Sequence, residues 1–212
     1  MKLFPTLVSE EAADYAGRVR VLSPEVAHRI AAGEVIERPA SAVKELIENS
    51  LDAGAGRVEV EIEVGGVALI RVSDDGSGMS PEDAGRAVTE HATSKIRTAD
   101  DLASVVSLGF RGEALHAIGA VSSMTLTTRK RGTEGSLGAR VRVFAGEVVE
   151  SATAAHPPGT TVEVRDLFLN LPVRRGFLGT VRPTQSRSRQ QCTQVFDRGW
   201  VSLPGCRVHP SV

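Results

Sequence analysis

The sequence predicts an α/β fold in which a mixed, mainly antiparallel β-sheet is covered on one face by helices. Two observations lead to this fold class. Helical segments with clear start signals come early in the chain, and strand-like segments follow one another closely enough to pair as hairpins. Strands joined as hairpins form antiparallel sheets, and such a sheet buries its apolar face against helices.

Four segments carry helix start signals. Ser23 and Pro24 predict the cap and first turn of one helix, with Gly33 as its end. Pro39 introduces a second helix, which we expect to run to Gly54. The other two segments have an acidic variant of the capping box, in which aspartate follows a hydroxyl residue by three positions: Ser80 with Asp83, and Thr98 with Asp101.

Residues 57–76 predict a β-hairpin with one buried face. Valine and isoleucine alternate with glutamate from Val58 to Val64, and Gly65 and Gly66 then turn the chain into a second apolar run. Three further segments have a strand-like pattern: SSMTLTTRKRG at 122–132, LGARVRVFAGEVVES at 137–151 and GTTVEVRDLF at 159–168.

The composition is that of an ordinary globular protein. The 212 residues are 41% hydrophobic and 24% charged, and they suffice for one good-sized core. No apolar run approaches membrane-spanning length, and acidic residues stand where a signal peptide would be apolar, so we expect a cytoplasmic protein. The net charge of −1 argues against a uniformly basic DNA-binding domain. Cys192 and Cys206 form no zinc motif.

The composition changes at about Thr180. Residues 180–212 contain five arginines and one acidic residue, and they lack sustained periodicity. We assign no regular element to them. They are typical of a poorly structured tail, or of sequence foreign to the preceding domain, as an altered reading frame would produce.

The segment KELIENSLDAG, at 44–54, places polar groups on one face of the second helix: Glu45, Glu48, Asn49 and Asp52. The opposite face holds Val43, Leu46, Ile47, Ser50 and Leu51. Two interpretations remain open for the polar stripe. It is either a solvated helix face, which is where most charged stripes lie, or a reactive site.

Three further segments have both a structural and a functional interpretation. In DDGSGM, at 74–79, Asp74 could accept a hydrogen bond from an exocyclic amine such as that of adenine. Gly76 and Gly78 would then let the backbone approach the base. The alternative interpretation of this segment is an ordinary turn. HATSKI, at 91–96, is a polar helix exit or part of the same site. LGFRGEAL, at 108–115, is a plain glycine loop or a phosphate-binding loop before a helix.

These segments resemble the N-terminal ATPase domain of the MutL mismatch-repair family when they are taken in their order and spacing. The resemblance rests on IAAGEVIERPASAVKELIENSLDAG, DDGSGM, HATSKI, SLGFRGEAL and GTTVEVRDLFLNLPVRRGFL. It implies a Bergerat-type ATP-binding sandwich, as in gyrase B, ninety-kilodalton heat-shock chaperones and histidine kinases. The implied division is an N-terminal extension at 1–17, the ATPase domain at 18–179 and a divergent tail at 180–212.

The resemblance also implies roles for individual residues. Glu45 would be the general base that activates water for attack on the γ-phosphate, Asn49 would bind Mg²⁺, and Asp74 would receive the adenine amino group. Residues 91–112 would form a lid over the nucleotide. The other implied ATP-binding residues are Gly76, Gly78, Met79, Thr93, Ser94, Lys95, Leu108, Gly109, Phe110, Arg111, Gly112, Glu113, Ala114, Leu115 and Thr161.

The cofactors and partners implied by the resemblance are those of a mismatch-repair switch. They are ATP, Mg²⁺, a MutS-type mismatch recognition protein, a strand-cutting nuclease, a helicase and a second copy of the chain bound in an ATP-dependent homodimer. The family's second α/β domain supplies a lysine to the γ-phosphate, and it does not follow residue 179 here. We therefore expect slow turnover, with a non-catalytic nucleotide-binding or interaction fragment as the alternative.

Basic residues also cluster in the predicted strands and turns of the second half of the chain. They are either a solubilising surface or a weak, sequence-independent contact to DNA phosphates. The cluster consists of Arg129, Lys130, Arg131, Arg140 and Arg142, with Arg174 and Arg175 adding charge near the end of the domain.

Overall fold

The computed structural model describes residues 21, 23, 32–90, 92, 113–133, 135–179 and 207–210. Its helices are α1 (Pro39–Asp52), α2 (Pro81–Ala87), α3 (Ala114–Ala120) and α4 (Pro172–Gly179). Its strands are β1 (Val58–Glu63), β2 (Leu69–Asp74), β3 (Ser123–Arg129), β4 (Gly138–Phe144), β5 (Glu147–Ala154), β6 (Gly159–Arg165) and β7 (Arg207–Pro210). None of the described helices is long and apolar enough to cross a membrane.

The seven strands form one sheet in the order β5-β4-β3-β6-β2-β1-β7. All neighbours pair antiparallel except β1 and β7, which are parallel. Strand β6 lies between the β1–β2 hairpin and the β3–β4–β5 meander, so it joins two hairpin units into one sheet. The predicted mixed, mainly antiparallel sheet is confirmed.

The two faces of the sheet differ because the strands alternate apolar and polar side chains. The inner face is buried against α1, α2 and α3, and its buried side chains include Val60, Ile70, Leu126, Val141 and Val164. The outer face of β1, β2 and β6 carries ion pairs between neighbouring strands, such as Arg71 with Glu163 at 2.7 Å. One apolar and one polar face match the predicted fold class.

Helix α1 forms and ends largely as its sequence predicts. Pro39 occupies the first turn, where its missing N–H breaks no helical hydrogen bond. The N–H of Ala53 then bonds to the carbonyl of Asn49 at 3.0 Å, and Gly54 follows with φ of 69°. The glycine therefore lets the chain leave the helix in the left-handed region.

The predicted cap of α2 is confirmed in a modified form. The Ser80 hydroxyl accepts the N–H of Asp83 at 3.1 Å and donates to the Asp83 carboxylate at 2.7 Å. In the common capping box the acidic side chain reaches back to the backbone of the cap residue. The shorter aspartate bonds to the cap hydroxyl instead.

The prediction that Gly33 ends the first helix is wrong. Residues 32–35 are helical, and the N–H of Ile36 still bonds to the carbonyl of Ala32 at 2.9 Å. A β-carbon on Gly33 would lie 2.9 Å from Nη1 of Arg174 and 3.4 Å from Cδ1 of Leu171. Gly33 thus lies against the side chains of Leu171 and Arg174, a contact that local sequence patterns do not reveal.

One regular element lies within the segment for which the sequence predicted none. Residues 207–210 form β7, whose backbone pairs with β1 from Glu59 to Ile62. The outer edge of β1 presents backbone donors and acceptors that need partners, and an extended segment of almost any sequence can supply them. Backbone pairing of this kind leaves no periodic signal in four residues.

Candidate functional site

Asp74 is held at the end of β2 by groups from three parts of the chain. Its Oδ1 accepts the N–H of Gly76 at 2.8 Å, and its Oδ2 accepts the hydroxyl of Ser50 at 3.1 Å. On the adjacent strand it pairs in register with Thr160. Strand parity turns Asp74 towards the helix-covered face, as it does Ile70 and Val72, so the carboxylate lies beside α1.

Burial dominates the electrostatics of this carboxylate. Removal from water raises the pKa of Asp74 above its ordinary value, although hydrogen bonds from the Gly76 backbone, the Ser50 hydroxyl and the Thr160 backbone act in the opposite direction. The negative charge of neighbouring Asp75 adds a smaller upward contribution. A partly buried carboxylate with several donors is a group prepared to accept one more hydrogen bond.

The two glycines after Asp74 let other parts of this chain come close. A β-carbon on Gly76 would lie 2.8 Å from Cβ of Ala53, at the end of α1. One on Gly78, where φ is 60°, would lie 1.9 Å from the carbonyl oxygen of Arg129. From the sequence these glycines were expected to make room for a base, whereas their described neighbours are other residues of this chain.

Thr128 and Thr160 form a layer of hydroxyl groups next to Asp74. Their Oγ1 atoms lie 3.0 Å apart, and Thr128 also donates to the carbonyl of Gly159 at 2.9 Å. The N–H of Met79 donates to the Thr128 hydroxyl at 3.0 Å, which ties the glycine loop to this layer. Neither threonine was predicted from the sequence, because their burial depends on strand register.

Thr161 lies on the opposite face of the sheet from Asp74. Its hydroxyl bonds to Ser73 at 3.0 Å and to Nε2 of His156 at 2.9 Å. It pairs in register with Ser73, one position away from the Asp74 and Thr160 pair. The structure therefore does not bring Thr161 together with the other predicted site residues, and Thr160 is the hydroxyl residue beside Asp74.

The polar stripe of α1 is partly buried. The Glu45 side chain is 28% exposed, whereas that of Glu48 is only 6% exposed. Lys44 lies 2.7 Å from the Glu48 carboxylate and 3.7 Å from that of Glu45. Among the described residues, Oε2 of Glu48 has no hydrogen-bond partner. Glu48 is thus a structural neighbour of Glu45 and does not lie on a solvated face.

Asn49 is half-buried on the same helix, one turn after Glu45. Asp52 is exposed, as expected for the end of the stripe. Within the described ranges there is no group of three or more histidine, cysteine, aspartate or glutamate side chains that could hold a metal ion.

Only part of the predicted lid and loop lies within the described residues. Glu113 precedes α3, Ala114 is its first residue, and Leu115 packs against the core. Helix α3 packs on α1, the helix that carries Glu45 and Asn49. The predicted site residues that lie outside the described residues are Thr93, Ser94, Lys95, Leu108, Gly109, Phe110, Arg111 and Gly112.

Much of the predicted basic cluster is bound to this chain itself. Arg142 pairs with Glu150 at 2.9 Å, Arg131 donates to the carbonyl of Asp75, and Arg129 donates to that of Thr133 at 3.5 Å. Lys130 and Arg140 are exposed.

Arg174 and Arg175 are also engaged within the fold. The Arg174 guanidinium lies 5.7 Å from the centroid of the Phe168 ring and donates to the carbonyls of Gly33 and Ile36. Arg175 pairs with Asp166 at 3.1 Å. Arg174 therefore joins α4 to the helical segment that precedes α1.

Comparison with known proteins identifies the family. Residues 36–164 match the model of the histidine kinase-, DNA gyrase B- and HSP90-like ATPases. The match runs from the segment before α1 to the end of β6, so it contains Glu45, Asn49, Asp74 and Thr160.

Relatives similar to this chain include DNA mismatch repair proteins MutL. The protein from Xanthomonas oryzae pv. oryzae (strain PXO99A) is 54% identical over 164 residues, which is 77% of this chain and 26% of that protein. The protein from Anaeromyxobacter sp. (strain K) is 56% identical over 161 residues, which is 76% of this chain and 26% of that protein. The chain thus spans about a quarter of the length of these relatives.

Solved structures give the same result for the fold. The Aquifex aeolicus MutL ATPase domain complexed with ADP has a TM-score of 0.56 and 34% identity, covering 83% of this chain and 60% of that one. The N-terminal domain of a DNA repair protein has a TM-score of 0.63 and 32% identity, covering 83% and 49%. The chain belongs to the histidine kinase-, DNA gyrase B- and HSP90-like ATPase family, and within it is similar to the MutL ATPase domains.

Proposed function

We propose that this chain binds ATP with Mg²⁺ and hydrolyses it slowly, as the switch domain of a DNA mismatch-repair protein. The switch would couple mismatch recognition to strand cutting and unwinding. Membership of the ATPase family supports ATPase chemistry in general, and the proposal adds a specific role for that chemistry. The alternative is a non-catalytic fragment that binds nucleotide or a protein partner without turnover.

The observation that carries the proposal is the arrangement of donors around Asp74. An ionised carboxylate has about four lone-pair sites. Two donors bond to the Asp74 carboxylate, the N–H of Gly76 and the hydroxyl of Ser50, and the backbone of Thr160 also favours its ionised form. The remaining capacity suits the exocyclic amino group of adenine, and the raised pKa of Asp74 is typical of a buried functional carboxyl group.

Helix α1 supplies the residues for the chemistry. Bound ATP would supply the γ-phosphate that water attacks, with Mg²⁺ neutralising the charge of the phosphates. Glu45 would orient that water and take its proton, because a partly exposed carboxylate can bind water and remain a base. Asn49 would contribute its amide oxygen, a neutral ligand that leaves the negative charge to the phosphates.

The proposed partners are those expected of a mismatch-repair protein, because the relatives of this chain are DNA mismatch repair proteins MutL. They are a MutS-type recognition protein, a nuclease, a helicase and a second copy of the chain in an ATP-dependent homodimer. A weak contact to DNA would use the exposed Lys130 and Arg140. Replacing both with glutamine should reduce DNA affinity and its salt dependence; an unchanged salt dependence would exclude this surface.

The experiment that tests the function is calorimetric titration with a non-hydrolysable ATP analogue and Mg²⁺, followed by phosphate release from ATP. We expect the wild-type chain to bind the analogue, Asp74→Asn to lose binding, and Glu45→Ala to bind without releasing phosphate. Glu82→Ala is the control for a helical glutamate, since Glu82 is exposed on α2 and pairs only with Arg86 in the described contacts.

The outcomes separate the two candidate functions. Binding with Glu45-dependent phosphate release supports the ATPase switch. Binding without any release, in wild type and variants alike, supports the non-catalytic alternative. Equal binding by the wild type and Asp74→Asn would overturn the assignment of Asp74 to the base.

A further inference from the structure

Ser50 has one hydroxyl proton and two acceptors. Its Oγ lies 3.0 Å from the carbonyl oxygen of Leu46, one helical turn earlier, and 3.1 Å from Oδ2 of Asp74. The residue is only 3% exposed, so water does not compete for this hydroxyl. A serine on a helix often donates a hydrogen bond to a carbonyl of the preceding turn. The contact of Ser50 with a carboxylate of another element is an additional interaction.

The two acceptors differ in strength. A hydrogen bond to an ionised carboxylate is roughly twice as strong as one to a neutral carbonyl. The Leu46 carbonyl also lies within the hydrogen-bonded ladder of α1, whereas Oδ2 of Asp74 accepts no other side-chain donor among the described residues. The Ser50 proton is therefore directed to Asp74 when the carboxylate is ionised.

Bonds to both oxygens restrict the rotation of the Asp74 carboxylate. Gly76 holds Oδ1 from the loop, and Ser50 holds Oδ2 from α1. Rotation about the terminal side-chain bond would break at least one of these contacts. The direction of the remaining lone pairs is thus set by two elements that pack on each other, α1 and β2.

We propose that Ser50 is a positioning residue that orients Asp74 for a purine with an exocyclic amino group and against one with an oxo group at that position. The inference rests on the proposed function. A fixed, acceptor-only carboxylate forms a hydrogen bond to an amino group, whereas an oxo group would face it as a second acceptor. Without Ser50 the carboxylate can turn, and the difference between the two bases becomes smaller.

The test compares Ser50→Ala with Ser122→Ala in the full chain. Ser122 is the matched control because it is 0% exposed and its hydroxyl donates to the carbonyl of Ile118, also four residues earlier, at 2.7 Å. Dissociation constants are measured for non-hydrolysable analogues of ATP and GTP with Mg²⁺. Urea denaturation of each variant reports the loss of stability separately.

We expect Ser50→Ala to lower the affinity for the ATP analogue by about tenfold and that for the GTP analogue much less. The preference for the ATP analogue over the GTP analogue should therefore fall. Ser122→Ala should leave the ratio unchanged, although it too loses stability. If Ser50→Ala does not fold, the pair Ser50→Thr and Ser50→Val replaces it, because these side chains differ only in having a hydroxyl or a methyl group; threonine should retain the ratio.

Two results would overturn the inference, and they are distinguishable. If the wild type binds the ATP analogue but Ser50→Ala has the same ATP-to-GTP ratio as the wild type, Ser50 has only a structural role. If the wild type binds neither analogue, the proposed function fails and the inference fails with it.

Discussion

Gly159 passes so close to Asp74 that a β-carbon on the glycine would lie 2.1 Å from the Asp74 carbonyl oxygen. The φ of Gly159 is 125°, in the region that side chains disfavour. The start of β6 can therefore pair with the end of β2 only if residue 159 is glycine. This contact places Thr160 next to the Asp74 carboxylate.

Replacing Gly159 with alanine should consequently lower both stability and nucleotide binding. We expect the free energy of unfolding to fall by more than about 1 kcal/mol, since the substitution adds a backbone clash to an unfavourable φ. Gly132→Ala is the control, because Gly132 also has a positive φ, of 78°, with nothing within 4 Å of its added β-carbon. Urea denaturation measures the free energy of unfolding of the two variants. Equal losses of stability would show that the backbone clash at residue 159 is relieved without cost.

The raised pKa of Asp74 predicts a specific dependence of stability on pH. Burial favours the neutral carboxyl group in the folded state. Its contribution to stability is fully present below the ordinary pKa of 3.8 and is lost as pH rises through the higher folded value. Asp74→Asn stays neutral, so the variant should gain stability relative to the wild type over that interval.

Urea denaturation at a series of pH values from acid to neutral checks this prediction. Using the difference between the two proteins cancels the contributions of other carboxyl groups. A difference that does not change with pH, or that changes in the opposite direction, would contradict the assigned shift. The same variant should lose nucleotide binding, so the stability gain would accompany a functional loss.

Thr160 and Thr161 should differ in their effect on nucleotide affinity. Thr160→Val removes the bond to Thr128 beside Asp74, and we expect affinity for the ATP analogue to fall about fivefold. Thr161→Val removes bonds to Ser73 and His156 on the other face and should leave affinity unchanged. Calorimetric titration of both variants with the ATP analogue measures these affinities. A larger loss of affinity for Thr161→Val would mean that the outer face of the sheet determines nucleotide binding.

Glu163 should stabilise the fold above about pH 4.5 and lose this effect in acid. Burial raises its pKa, but hydrogen bonds and charge attraction from Arg71 and Arg165 outweigh that effect, and the pKa lies below the ordinary 4.5. Its stabilisation is therefore present above 4.5 and lost as pH falls through the lower folded value. Glu163→Gln should cost about 1 kcal/mol at pH 7 and much less in acid.

The control for Glu163 is Glu150→Gln. Glu150 pairs with Arg142 at 2.9 Å, but both side chains are more exposed, at 37% and 52%. Its removal should change the free energy of unfolding very little. Equal effects of the two substitutions in urea denaturation would show that the second arginine adds nothing to the Glu163 contact.

Local sequence patterns predicted the elements of this fold better than their contacts. Alternation from Val58 to Val64 and the two glycines after it gave the β1–β2 hairpin, because these signals lie within a few residues. Thr161 was predicted and Thr160 was missed, because a motif alone does not state which face of a strand each residue occupies. The register of β6 against β2 determines that, across 86 residues from Asp74 to Thr160.

The same limit explains why Ser50 was assigned to the apolar side of α1. Its helical position does place it with Leu46 and Ile47, and it is as buried as they are. Its partner Asp74 is 24 residues away, on a strand whose direction relative to α1 depends on the tertiary fold. Gly33 was misjudged for a similar reason, since its neighbour Arg174 is 141 residues away.

The position of β6 has a consequence for synthesis on the ribosome. It is the last strand of the antiparallel part of the sheet to be made, yet it lies between β2 and β3, which are made earlier. Until residues 159–165 emerge, the nascent chain holds two hairpin units with no shared strand, and Asp74 lacks its neighbours Gly159 and Thr160. Long-range pairing of this kind forms late. The proposed nucleotide site and the antiparallel part of the sheet should therefore form together, once β6 has been made.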